Sequence, residues 1–276
     1  MPLEPSVNST ERILVYGNTG SGKSNAILTV AKRCPDANFY VIDNDLGITP
    51  IIENEMPELS ADNGGNVHVY FCDSFDEHMD ALAEIQEKAK AGDWLVIDML
   101  GSMWGLAQER FSDIVYGKGL DQHLMDAAIR AEKDDDGSPP FDGMRDWPSI
   151  TQTHAKVYRE MLKASINKKM NLYCTAASAE LMDDRGKIKE SKANKETYGG
   201  IGWKPKGQKE MGHKFNTILM FEKKGIGKWY MTGVKDRGRE SFEREEFTDF
   251  AKDYLVKKAK WNAVVKKKVD DADSTN

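Results

Sequence analysis

Residues 12–33 read RILVYGNTGSGKSNAILTVAKR, and this stretch decides the fold. RILVYG is a β-branched and apolar run that ends at Gly17, which predicts a buried strand. The segment from Ser24 to Arg33 predicts a helix that stops before Pro35, because the residue preceding a proline disfavours the helical region. Between them, Gly17, Asn18, Thr19, Gly20, Ser21, Gly22, Lys23 and Ser24 satisfy the pattern G-x-x-x-x-G-K-[ST]. The glycines permit tight, partly left-handed backbone, so that successive N–H groups converge on phosphate oxygens. The helix N-terminus adds its positive end. Lys23 is placed to reach the β- and γ-phosphates, and Ser24 offers a hydroxyl to Mg²⁺. Asn25 follows directly and completes the predicted nucleotide-binding set. A strand before and a helix after are the context that distinguishes this loop from an ordinary glycine-rich turn.

Strands and helices alternate outward from the loop. NFYVIDND (38–45), NVHVYFCD (66–73), DWLVIDML (93–100) and NLYCTAAS (171–178) predict four further strands. Residues 75–90 predict a helix, with Phe75, Met79, Leu82 and Ile85 on one face, and residues 149–169 predict a long one. KFNTILMFE (214–222) and GKWYMTGVK (227–235) flank a tight turn and predict a hairpin. Phe247, Phe250, Tyr254 and Trp261 lie at helical spacing, so 243–265 predicts an amphipathic terminal helix. The expected architecture is α/β: a mostly parallel sheet flanked by helices, with antiparallel strands at one edge. Its expected parts are a loose tail at 1–10, a core at 11–240 and a C-terminal segment at 241–276. Within the core, an acidic flexible insertion is expected at 126–146 and a basic mobile loop at 179–212.

Two acidic positions fit beside the loop. Asp98 ends WLVID, and ligands of parallel sheets gather at the carboxyl ends of strands. It would hold Mg²⁺ together with Ser24. Asp43 and Asp45 end the second strand, and one of them would orient an attacking water. The residues alone do not choose between those two.

With these positions in place, the chain resembles the RecA/RadA/DnaB superfamily of P-loop ATPases over roughly residues 11–240. In that family the catalytic carboxylate lies two residues after an Asp that ends the strand following the P-loop helix. VIDND matches with Asp45 in the catalytic place, although the family usually has Glu there. The resemblance implies that NLYCTAAS ends in a polar sensor of the γ-phosphate, Thr175 or Ser178. It implies a DNA-touching loop after that strand. Lys192, Lys195, Tyr198, Trp203, Lys204, Lys206 and Lys209 supply the charge and aromatic faces that single strands bind. GVKDRGRE resembles the family's Lys-x-Arg motif, so Lys235 and Arg237 are expected to act in trans on a neighbouring subunit's ATP, in a ring or filament. The compact chain looks most like phage-encoded RecA-like ATPases that assist single-strand annealing and recombination. The expected activity is ATP hydrolysis with Mg²⁺, stimulated by single-stranded DNA.

Composition bounds the alternatives. The chain has 276 residues, a net charge of −6, 39% hydrophobic and 30% charged residues, so any nucleic-acid contact must come from a local basic patch. From Arg185 to Lys224 there are 11 Lys/Arg against 4 Asp/Glu, and from Lys252 to Lys268 there are 7 Lys against one Asp. No run is apolar enough to span a membrane and no leader is visible, so the expected address is the cytoplasm. Cys34, Cys72 and Cys174 are widely spaced and read as buried thiols. A DNA-packaging or partner-loading ATPase is the alternative reading. Such motors usually place a second acid right after the first, where this chain has Met99. A GTPase lacks support, because Asn167-Lys168-Lys169-Met170 misses the Asp of the guanine-reading N-K-x-D pattern.

Overall fold

A computed structural model of the chain describes residues 10–134, 141–142, 144–181, 192–208, 211–237, 239 and 241–260. In chain order the elements are β1 (Arg12–Gly17), α1 (Lys23–Arg33), β2 (Phe39–Asp43), α2 (Thr49–Glu55), β3 (Val67–Phe71) and α3 (Phe75–Lys88). β4 (Trp94–Asp98), α4 (Met103–Tyr116), α5 (Leu120–Asp134), α6 (Asp146–Asn167) and β5 (Asn171–Glu180) follow. The chain continues through α7 (Lys192–Tyr198), β6 (Trp203–Pro205), β7 (Thr217–Lys223), β8 (Trp229–Asp236) and β9 (Glu245–Phe247), then a π-helical turn (Ala251–Val256).

Among the described residues these strands form one nine-stranded sheet in the order β3-β2-β4-β5-β1-β7-β8-β9, with β6 added to the far end of β5. From β3 to β7 every pair along this path is parallel; β8 turns back antiparallel on β7. The apolar runs are continuous because both faces of the sheet are covered. In β1, Ile13 and Val15 pack on one side and Leu14 and Tyr16 on the other, since successive strand residues face opposite ways. β4 does the same with Trp94 and Val96 against Leu95 and Ile97. α1 and the π-helical turn cover the first face, and α3, α4 and α6 cover the second. Helix α3 starts where the sequence S-F-D-E demands it. Ser74 Oγ accepts from the Glu77 N–H at 3.3 Å, and Glu77 Oε2 accepts from the Asp73 N–H at 3.1 Å.

Three expectations are revised. The stretch 126–146 is not a flexible insertion throughout: α5 runs to Asp134 and α6 begins at Asp146. Phe141 is buried and packs against Phe111, His123 and Trp147, so an aromatic anchor outweighs the local Asp, Gly and Pro content. The basic stretch after β5 also folds in part, as α7 and β6. Where a single helix is expected over 243–265, the described residues up to 260 instead form β9 followed by the π-helical turn. Phe247, Phe250 and Tyr254 all enter the α1-side core, so helical spacing marked burial correctly while backbone pairing of Glu245–Phe247 with β8 set the local structure. Trp261 lies outside the described residues.

Candidate nucleotide and metal site

The carboxyl ends of β1, β2, β4 and β5 converge on one edge of the sheet, where Asp43 pairs in register with Asp98. Residues 17–24 arch over this edge. Gly17 can be nothing larger, because a Cβ there would lie 2.2 Å from the Phe221 carbonyl oxygen of β7. Gly20 (φ 74°) and Gly22 (φ 89°) hold left-handed backbone, as the loop geometry requires. Helix α1 then starts at Lys23, and Tyr173 on β5 donates its hydroxyl to the Lys23 carbonyl at 2.7 Å. The Lys23 ammonium lies back over the loop, donating to the carbonyls of Gly17 at 2.9 Å and Asn18 at 3.0 Å. Burial lowers its pKa, while Asp98 and Asp45 act in the opposite direction. Asn25 is exposed just beyond the loop.

Asp98 is the centre of the site. It is 2% exposed, accepts from Ser24 Oγ at 2.6 Å through Oδ2 and from Thr175 Oγ1 through Oδ1, and has no ion-pair partner among the described residues. Burial raises its pKa; the two hydroxyl donors lower it, and Asp45 and Asp43 raise it further. A buried carboxylate held only by hydroxyls is short of positive charge.

The turn after β2 separates the two acids that sequence left open. Asp43 is fully buried and saturated, accepting from the N–H groups of Gly47, Ile48 and Thr49 at 3.0, 3.1 and 3.2 Å and from Thr49 Oγ1 at 3.0 Å. It builds the turn that leads into α2. Asp45 is exposed and stands toward the shared space. Its pKa is raised, first by desolvation and then by Asp43. Leu46, at φ 55°, bends the chain between Asp45 and Gly47. Asn44 fastens the turn to the end of β4: its N–H donates to the Asp98 carbonyl at 2.6 Å and its Nδ2 to Met99 O at 3.2 Å and Ser102 Oγ at 3.1 Å.

Gly47 tests whether a metal fits. A Cβ built there would lie 3.0 Å from Asp45 Oδ1, 3.3 Å from Asp98 Oδ2 and 3.6 Å from Ser24 Oγ. Three oxygens therefore border one small space that glycine alone leaves open. Hard oxygen donors of this kind suit Mg²⁺, which prefers one or two carboxylates with water and phosphate oxygens. Gly47 and Asn44 escaped the sequence reading. The only trace of them was a glycine two residues past an acid at a strand end.

Thr175 is completely buried against Asp98, whereas Ser178, further along β5, donates to Asn18 Oδ1 of the loop. Of the two sensor candidates, Ser178 is the one touching the loop itself. Lys235 and Arg237 are not near this edge. β8 runs from Trp229, whose indole lies 3.3 Å from a Cβ built on Gly22, to Asp236 at the opposite end, and seven residue steps span about 23 Å. Lys235 Nζ donates to the carbonyls of Gly212 at 2.9 Å and Phe215 at 2.8 Å, while Arg237 is exposed.

The candidate DNA residues divide. Lys192, Lys195 and Lys206 are exposed and Lys204 is half-buried. Tyr198 is 5% exposed and packs edge-on against Tyr16, so it is a core residue and offers no face to a base. Trp203 packs on the α3-side core and its carbonyl accepts from Tyr16 OH at 3.1 Å. Both aromatics anchor α7 and β6 to the sheet, a role that basic and glycine-rich surroundings concealed. Lys209 lies outside the described residues.

No protein-family model and no curated protein matches the sequence. Among solved structures, the chain is similar to one described as the RadB recombinase, with a TM-score of 0.52 over 87% of each chain at 10% identity. The fold is RecA-like. At that identity the likeness speaks for architecture, and the chemistry has to come from the residues described above.

Proposed function

We propose that the chain binds ATP with Mg²⁺ and hydrolyses it, and that turnover is coupled to single-stranded DNA in recombination or annealing. The observation that carries this reading is Asp98, buried with no ion-pair partner among the described residues and hydrogen-bonded to Ser24 at the mouth of an intact phosphate loop in a RecA-like sheet. The loop N–H groups and Lys23 bind and orient the polyphosphate. Ser24 and Asp98 would hold Mg²⁺, which would supply positive charge against that developing on the phosphate oxygens. Asp45 accepts a hydrogen bond from the attacking water and fixes its direction; Asn44 and the saturated Asp43 keep that carboxylate in place. Ser178 reports phosphate contact to β5, and Thr175 holds Asp98 from behind.

Lys235 and Arg237 lie at the far end of β8, so any role at an ATP site is at a neighbour's, in a head-to-tail ring or filament. Single-stranded DNA would follow Lys192, Lys195, Lys204 and Lys206 on α7 and β6, together with Lys209. No helix among the described residues is long and apolar enough to cross a membrane. Packaging or partner loading is the competing role. Phosphate release with and without single-stranded DNA separates the two: stimulation is expected, and equal rates would refute DNA coupling. Lys23→Ala is expected to abolish ATP binding in calorimetry, and unchanged affinity would overturn the site.

A further inference from the structure

Beside the nucleotide edge lies a second concavity of about 490 Å³, between the ends of β2 and β3 and the helices α4 and α5. Its floor is Asn44, one residue from Asp45, together with Cys72. Leu106, Leu120 and Leu124 form an apolar wall. The rim carries the exposed carboxylates Asp73, Glu109 and Asp121, and no Lys or Arg lines the cleft. The apolar surface continues outward along α5 through Leu124, Met125 and Ile129, which are 41%, 59% and 49% exposed. An apolar trough with an acidic rim fits a segment that carries apolar anchors and clustered amines.

This chain holds such a segment. Residues 257–268 read KKAKWNAVVKKK, with Trp261, Val264 and Val265 as anchors and six lysines. The described part of that segment leaves from the α1 face, where Tyr254, Leu255 and Ala259 are packed, whereas the cleft opens on the α4–α5 side of the sheet. We propose that the cleft receives residues 261–268 of a second copy of this chain. The contact is heterologous, because the donor segment and the acceptor cleft are different surfaces, so it propagates head to tail. Its occupant would rest on Asn44, and through Asn44 it would bear on the turn that carries Asp45. The inference stands on the cleft and the charge pattern, independently of what the nucleotide site does.

The test is a charge swap in the full chain, read by sedimentation velocity across protein concentration and salt. Wild type is expected to self-associate more weakly as salt rises, because rim charges are screened. Glu109→Lys with Asp121→Lys should weaken association at least tenfold, as should Lys266→Glu, Lys267→Glu and Lys268→Glu together. The combined reversal should restore it, which loss of folding in either parent cannot mimic. A labelled peptide of residues 257–268 should bind the wild-type chain and bind the Glu109/Asp121 variant at least tenfold more weakly. Association that ignores both reversals, or a chain that stays monomeric and leaves the peptide free, overturns the proposal. A concentration-independent compact state lost on either reversal would place the segment in its own cleft and refute the second copy.

Discussion

Two buried acidic clusters lie at opposite ends of the sheet, and they are built on opposite principles. At the carboxyl edge, Asp98 is held by the hydroxyls of Ser24 and Thr175 with two further aspartates nearby and no ion-pair partner among the described residues. At the other end, Asp236 accepts from Thr217 Oγ1 at 2.9 Å and Tyr254 OH at 2.8 Å and pairs with Arg239 at 3.0 Å. Arg239 also pairs with Glu11. Burial works against the Arg239 charge, but the hydrogen bond and the charge of Glu11 outweigh it and hold its pKa above the usual guanidinium value. The ion-paired cluster, two carboxylates around one guanidinium, ties β8 to the π-helical turn and to the start of β1. The cluster around Asp98, which has no ion pair among the described residues, is the one proposed to take a cation. Buried carboxylates with an ion-pair partner serve as scaffold, and a buried carboxylate without one is a candidate site.

Asp98 is where the two clusters should differ most. Replacing Asp98 with Asn removes the charge proposed to hold Mg²⁺ and should lower ATP turnover roughly a thousandfold. The same change relieves a buried charge. Since the folded pKa of Asp98 is raised, the ionised form costs stability once the pH exceeds the ordinary carboxylate value. Asp98→Asn should therefore unfold at an equal or higher urea midpoint without Mg²⁺ at pH 7. A marked drop in that midpoint would make Asp98 a structural residue like Asp236.

Arg239 gives the converse case. Arg239→Ala leaves Glu11 and Asp236 buried without their cation and should cost about 3 kcal/mol of stability. Nucleotide affinity measured well below the unfolding transition should stay within about twofold of wild type, as for sites with no shared partners. A selective loss of ATP affinity in a stably folded Arg239→Ala protein would show that the two ends are coupled.

His78 sharpens the comparison with a buried group that is neutral. Both ring nitrogens lack hydrogen-bond partners among the described residues, and burial pushes its pKa down to about 4. Below pH 6.5 the unfolded imidazole takes a proton that the folded one refuses, so stability is lost as the pH falls from 6.5 toward 4. By pH 5 the loss from His78 should be about 2 kcal/mol. His78→Leu should flatten the pH dependence of the urea midpoint over that window, and an unchanged slope would rule His78 out as its source.

Legibility followed the range of the interactions. The phosphate loop, Asp98 and the strand–helix alternation were visible because their signals are local: glycine spacing, an apolar run ending in an acid, a change of period. The choice between Asp43 and Asp45 was not. It depends on three backbone N–H groups that reach Asp43 only once the turn has closed. Tyr198 and Trp203 misled because a basic neighbourhood says nothing about which side chains point inward. Arg239 went unnoticed beside the Lys235 and Arg237 motif, since its partner Glu11 is 228 residues away. The second cleft has no sequence signature, being assembled from four separate segments.

The smallest effect expected is at Thr175, which lies on the boundary between scaffold and site. Its hydroxyl donates to Asp98 Oδ1 from a fully buried position. Thr175→Val keeps the shape and removes the donor, leaving one lobe of a buried carboxylate unpaired, which should cost about 1 kcal/mol. Metal would compensate that lobe electrostatically without replacing its hydrogen bond. The stability deficit should therefore shrink when Mg²⁺ and ATP are both present, because a ligand that binds only the folded state is drawn more strongly to the less compensated charge. Thermal shifts measured with and without Mg²⁺–ATP read this directly. If the deficit were the same in both conditions, Thr175 would belong with Thr217 as a scaffold hydroxyl, and the site would end at Ser24, Asp45 and Asp98.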